Sequence, residues 1–132
     1  MTTRVIAGTA DADPAITDAP YTVMEMRIGT GGGAPAHRSL DEDKTFVVHE
    51  GTLEFLICET VQRVSAGAVV TVAPGDVHGF INRETADVRM LLVAAPARHD
   101  AFFRAMAALP VPHDVEAVRR ICARYRQVIV GM

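Results

Sequence analysis

The chain has 132 residues, 49% of them hydrophobic and 22% charged, with a formal net charge of -3. This length suits a single domain over residues 1–132 that buries a real core without disulfide staples. The acidic balance supplies no basic stripe for phosphates, and the longest apolar run, Met90 to Ala95, is far too short to cross a bilayer, so neither nucleic acid nor a membrane is expected as a partner.

The N-terminal stretch "MTTRVIAGTADADPA" lacks the apolar core of a signal peptide, which predicts a cytoplasmic chain. From about Arg4 to Val93, short runs rich in Val, Ile, Phe and Thr alternate with the turn clusters "GTGGGAP", "HEGT", "SAG" and "APGD". That rhythm predicts an all-β sandwich or barrel over about residues 4–95. Residues 10–20, "ADADPAITDAP", have no apolar period and read as a surface connection to a second strand, "YTVMEMRIG". On that strand Glu25 and Arg27 alternate with Met24, Met26 and Ile28, which assigns the charged pair to the solvated face. The glycine-rich "GTGGGAP" has no flanking helix of a phosphate loop and reads as a turn.

Cys58 lies in a strand-like run and Cys122 on a helical face, and both read as small buried hydrophobes kept reduced in a cytosol. After Pro96 the period changes to that of helices, giving a tail over about 97–132. Asp100 is placed to cap a helix carrying Phe102, Phe103, Met106 and Leu109, ended by Pro110 and Pro112. Asp114 is placed to cap a second, with Val115, Val118, Ile121, Cys122 and Tyr125 on one stripe and Arg119, Arg120, Arg124 and Arg126 off it. The closing "QVIV" reads as a last short strand.

Two segments carry more than periodicity. The first, "GAPAHRSLDEDKTFVVHEG", holds Gly33, His37, Phe46, Val48, Glu50 and Gly51, and the second, "GAVVTVAPGDVHGFIN", holds Gly67, Gly75, His78 and Asn82. The pair resembles the two signature motifs of the cupin superfamily, whose members are small jelly-roll β-barrels. The tail is similar to the helical tail of small single-domain cupins of the quercetin-dioxygenase-like kind. The resemblance implies an all-β cupin jelly roll with one or two C-terminal helices and, by family analogy, a homodimer. It also implies a metal site: two histidines separated by one residue and a glutamate from the first motif, a third histidine from the second, a donor set suited to a divalent transition metal. Laid on this chain, the first histidine is His37 and the third is His78, but Ser39 occupies the second histidine position and Lys44 the glutamate position.

Lys44 is the only lysine; the other twelve basic residues are arginine. Alternation turns Lys44, Phe46 and Val48 to one face of a strand, and His49 to the other. Asp43, one residue away, should face outward, and Asp41 and Glu42 lie in the preceding turn and would have to fold back to replace the missing carboxylate. The expected site is therefore a metal-free pocket with His37, Lys44, His78 and Ser39 as its catalytic candidates and Phe46, Phe80, Met90 and Leu92, joined by Met24 and Met26, as its substrate-binding wall. If any metal binds, His37 and His78 are its ligands. Histidine moves protons near neutral pH, while an ammonium stabilises a developing oxyanion. This set predicts a metal-independent enzyme acting on a small carbonyl or polyketide-like molecule by acid/base chemistry, of isomerase, cyclase or lyase type. Two alternatives stand beside it: a quercetinase-like metal-dependent dioxygenase with altered ligands, and a non-catalytic binder of small molecules. Asn82 is expected to secure a turn, and the arginines of the last helix to form a solvated face.

Overall fold

The computed structural model describes residues 1–9 and 15–132, so the part of the expected surface connection at 10–14 lies outside the described residues. The strands are β1 (Thr2–Gly8), β2 (Thr17–Asp18), β3 (Thr22–Ile28), β4 (Gly33–Ser39), β5 (Asp43–Glu50), β6 (Thr52–Ile57), β7 (Thr60–Ser65), β8 (Val69–Val72), β9 (His78–Ile81) and β10 (Val88–Ala95). The helices α1 (His99–Ala107) and α2 (Val115–Arg124) follow, and β11 (Gln127–Ile129) closes the chain's ordered elements. Among the described residues one sheet runs β2-β1-β3-β10-β5-β8 and the other β11-β4-β9-β6-β7. The architecture is the jelly roll expected, with two C-terminal helices.

Period-two patterning builds both inner faces. Met24, Met26 and Ile28 of β3, Phe46 and Val48 of β5, and Val88, Met90, Leu92 and Ala94 of β10 are buried in one sheet; Leu53 and Phe55 of β6 and Phe80 of β9 meet them from the other. Burying large side chains at roughly 2 kcal/mol each makes this inter-sheet layer the main source of stability. Phe55 packs edge-on to Phe46 at 5.1 Å between ring centroids and against Phe80 at 5.4 Å, so the aromatic cluster bridges the two sheets. The turn from β5 to β6 depends on Gly51, whose φ is +84°; a Cβ there would also meet the Asp87 carbonyl oxygen at 2.8 Å.

Several details differ from the sequence reading. The connection ahead of β3 includes the two-residue β2, which pairs in parallel with β1, and Ile16 is buried. Cys58 is exposed with φ of +54° in the tight β6–β7 turn, because the chain has to reverse there; Cys122 is buried as expected. Asp100 does not cap α1, whose N-cap is Arg98. Its carboxylate instead accepts from the Thr9 backbone N–H at 2.9 Å and the Thr22 hydroxyl at 3.1 Å, and pairs with Arg104 at 2.9 Å, tying α1 to β1 and β3. Asp114 does cap α2, accepting from the Ala117 N–H at 3.1 Å. On α2 the stripe is narrower than expected, with Val115 half exposed while Val118 and Cys122 are buried. The closing strand is present as expected, and β11 pairs with β4 as an edge strand of the second sheet.

Candidate functional site

The register brings the two motifs together. His37 on β4 and His78 on β9 are direct cross-strand partners, with ring centroids 4.1 Å apart. Lys44 comes from β5 in the opposite sheet, one alternation step from Phe46, and is only 3% exposed. Its ammonium crosses the space between the sheets and donates to His78 Nε2 at 3.1 Å and His37 Nε2 at 3.4 Å. On the far side of each ring, Nδ1–H donates to a backbone carbonyl, that of Pro35 at 2.7 Å for His37 and that of Asp76 at 2.9 Å for His78. A carbonyl only accepts, so both Nδ1 atoms carry the proton and both Nε2 atoms present lone pairs to the amine.

Burial and mutual repulsion then set the charges. Desolvation, followed by the Lys44 charge, lowers His37 to about 3 and His78 to about 4. Desolvation also lowers Lys44 to about 7, opposed by attraction to Glu42. Near neutral pH the imidazoles are therefore neutral, and the amine is the group that titrates.

Glu42 is the main departure from the expected site. It stands in the turn before β5, yet it is 1% exposed, folded back into the barrel as a neighbour of the amine. Its carboxylate accepts from the Gln127 amide at 3.3 and 3.4 Å, and burial raises its pKa. The acidic neighbours lie elsewhere: Asp43 is exposed, and Asp41 binds Arg126 at 2.9 Å. Ser39 is drawn away from the cavity, its hydroxyl donating to Gln127 Oε1 at 2.5 Å. Sequence reasoning gave no role to Glu42, Gln127 or His99. The only signal for Gln127 was its place in the closing strand, where it pairs with Ser39.

Above this cluster opens a cavity of about 520 Å3. His37, Lys44, Phe46, Phe80, Leu92 and Met26 line it, as expected, and α1 supplies a further wall through His99, Phe102, Phe103 and Met106. Met90 is not part of that wall. It pairs with Val48, one step deeper than the Leu92–Phe46 pair, and so packs in the core, as does Met24. His78 is screened from the cavity and reaches it only through the amine. The remaining polar candidates are structural: Arg27 pairs with Asp87 at 2.9 Å and Glu25 with Arg4 at 2.8 Å on the surface, and the Asn82 amide donates to the carbonyls of Ile28 and Ala86. A shallower groove of about 450 Å3 on the outer face of the second sheet holds only the surface pair Arg83 and Glu54 among its charged groups.

The family model of the cupin domain matches residues 24–94, more than half of the chain. The chain belongs to the cupin family. Among solved structures this cupin is similar to a protein with a double-stranded β-helix domain from Klebsiella pneumoniae, at 23% identity over 73% of this chain and 76% of that one, with a TM-score of 0.60. It is similar also to a cupin-superfamily sugar phosphate isomerase from Silicibacter pomeroyi, at 21% identity, 70% and 59% coverage and a TM-score of 0.58. A third likeness is to the DMSP lyase DddQ from Ruegeria pomeroyi, at 14% identity, 71% and 46% coverage and a TM-score of 0.60. The chain spans less than two thirds of the latter two proteins, and at these identities the likeness is one of fold. No curated protein matches at a significant level. Among the described residues no helix is long and apolar enough to span a membrane.

Proposed function

We propose that this cupin is a metal-independent enzyme that acts on a small carbonyl or polyketide-like molecule by acid/base chemistry, as an isomerase, cyclase or lyase. One observation carries the reading: a lysine amine with a pKa near neutrality, held by two imidazoles at the floor of an apolar cavity. The donor arithmetic favours reversible proton transfer. An ammonium has three N–H donors, of which two go to His37 and His78, leaving one for a substrate oxygen. A neutral amine keeps both of those bonds and turns its lone pair to the substrate. The amine can thus give up and regain a proton without either imidazole changing state. In this reading Lys44 moves the proton and the two histidines position it, the reverse of the roles the residue types first suggested.

The walls do the rest. Phe46, Phe80 and Leu92 exclude water from the substrate's carbon frame, which strengthens the interaction between the Lys44 ammonium and a developing oxyanion. The residues present do not fit the divalent ion implied by the family's usual ligands. Only two of those four positions hold imidazoles, both Nε2 lone pairs are taken by the amine, and a cation stands where a carboxylate would attract the metal. Among the described residues no group of three or more His, Cys, Asp or Glu is arranged to hold an ion. A quercetinase-like dioxygenase is therefore the weaker reading. The isomerase and the lyase among the similar structures are precedents for these reaction types on this fold, at the level of fold alone.

The test is proton exchange in D2O with 2-tetralone, an enolisable aromatic ketone of suitable size, followed by NMR, together with elemental analysis of the purified protein. Exchange that persists in chelator and is lost in Lys44→Met is the expected result. Stoichiometric transition metal on His37 and His78, or exchange that survives Lys44→Met, overturns the proposal.

A further inference from the structure

Isomerisation, cyclisation and elimination are faster when one group gives a proton and another takes it. Lys44 supplies one, and His37 and His78 are committed to holding it. A third imidazole stands in the same cavity. His99, the first residue of α1, lines the wall and is only 2% exposed. Its Nδ1 is fully buried with no hydrogen-bond partner, the one side-chain nitrogen or oxygen in that state among the described residues, and it lies 4.0 Å from Glu42 Oε1. Glu42 is itself held from the other side by Gln127, whose amide also donates to the Tyr125 carbonyl at 3.0 Å. A buried imidazole and a buried carboxylate that face one another without bonding are costly to maintain, and a bound ligand that draws them together offsets that cost.

We propose that Glu42 and His99 form a carboxylate–imidazole pair that serves a ligand bound in this cavity, with Nδ1–H turned to Glu42 and Nε2 taking a proton from the ligand while Lys44 holds the ligand's oxygen. The inference rests on the acid/base reading of the same site and deepens it by naming the second group and the ligand class. That class is a hydroxy- or keto-substituted aromatic carbonyl compound or carboxylate, which has an acidic proton to lose and an oxygen to be held. A carboxylate only accepts, so the ring nitrogen facing it carries the proton and the opposite nitrogen is left bare for the cavity. The ring plane is fixed by Phe102, stacked at 5.7 Å and 25°, and by Phe103, edge-on at 5.1 Å and 75°. In the step itself the ligand's O–H or C–H bond breaks and an N–H bond forms at Nε2. The electron pair left behind ends on the oxygen that accepts from Lys44. Glu42 does not touch the ligand and acts as a positioning residue, closing on Nδ1–H as the imidazole becomes positive.

Long-range 1H–15N correlation spectra of the labelled full chain read the tautomer directly. His99 is expected in the Nδ1–H form, and Glu42→Gln weakens that preference. Calorimetry with 1-hydroxy-2-naphthoate and 2-naphthoate, which differ in one hydroxyl, then tests the ligand side. The wild type prefers the hydroxylated probe by about fivefold or more, as a good hydrogen bond to a buried acceptor allows. His99→Phe, which keeps a ring against Phe102, levels the two affinities, while Lys44→Met weakens both alike. An Nε2–H tautomer, equal affinities in the wild type, or a preference that survives His99→Phe overturns the His99 assignment and leaves the Lys44 reading standing. Affinities unmoved by Lys44→Met sink that reading instead, and no binding of either probe at about millimolar concentration overturns both.

Discussion

Replacing Lys44 by methionine removes the amine but keeps the length and most of the volume of the side chain, so it isolates the charge. In the folded protein burial lowers the Lys44 pKa from 10.5 to about 7. At roughly 1.4 kcal/mol per unit, charging this amine inside the barrel costs on the order of 5 kcal/mol relative to the unfolded chain. The sign follows from proton counting. Between these two pKa values the unfolded chain binds a proton that the folded chain refuses, so stability rises with pH across that window and is flat below it. From about pH 7 to about pH 9 the wild type should gain about 2 kcal/mol of unfolding free energy from this group, and Lys44→Met should gain none of it. The difference between the two proteins is the readout, because the other titrating groups are common to both. The absolute stability at one pH is a poorer measure. Methionine leaves the Nε2 atoms of His37 and His78 without their donor, at about 1–3 kcal/mol each, which opposes the gain from losing a buried charge. Urea denaturation of both proteins across the range gives the slopes. Parallel lines would show that Lys44 titrates as an exposed lysine does, and would refute the argument that its amine is desolvated.

The two imidazoles give an acid-side counterpart. His78 is lowered from 6.5 to about 4, so stability falls as pH drops between those values; His78→Gln should abolish about 1.5 kcal/mol of that loss between about pH 6.5 and pH 5, read from urea midpoints. Lys44→Glu places a carboxylate beside His37 and His78 and should create a Zn2+ or Ni2+ site with a Kd of about micromolar or tighter by calorimetry, against no saturable binding in the wild type. Phe55→Ala, at the contact between the sheets, should cost about 3–5 kcal/mol of stability in thermal or urea unfolding. Asp114→Ala removes only the α2 cap, and the same measurement should show a loss near 1 kcal/mol with ligand binding unchanged.

Wherever the chain runs as a strand, its inside and outside are legible residue by residue, because successive side chains point to opposite faces. Lys44, Phe46 and Val48 are buried and His49 is exposed on that ground alone, and the amine stands in the barrel where the motif comparison put it. The same alternation separates Met26 from Arg27, and the Asp114 cap is a local hydrogen bond that needs no tertiary partner. Where the chain leaves regular structure the period disappears and with it the means of assigning a face. Glu42 sits in a turn, so nothing in its neighbours tells that it folds inward; Cys58 sits in another, and turns out to be exposed. Asp100 has the residue type and the position of a cap, but two threonines and an arginine distant from one another in sequence compete for its carboxylate and win.

The sequence by itself determined an all-β barrel and the inward face of Lys44, because these follow from the period along one strand at a time, and its resemblance to the cupin motifs marked that lysine as standing where the family carries a carboxylate. Only the tertiary structure decided that α1 closes the cavity, that His99 and Glu42 face one another beneath it, and that two imidazoles hold the amine. Two of those contacts, Lys44 with His78 and Glu42 with His99, join residues 34 and 57 positions apart through the docking of whole elements. No local pattern encodes that docking, since it is settled by the sum of many weak packing terms across the whole core.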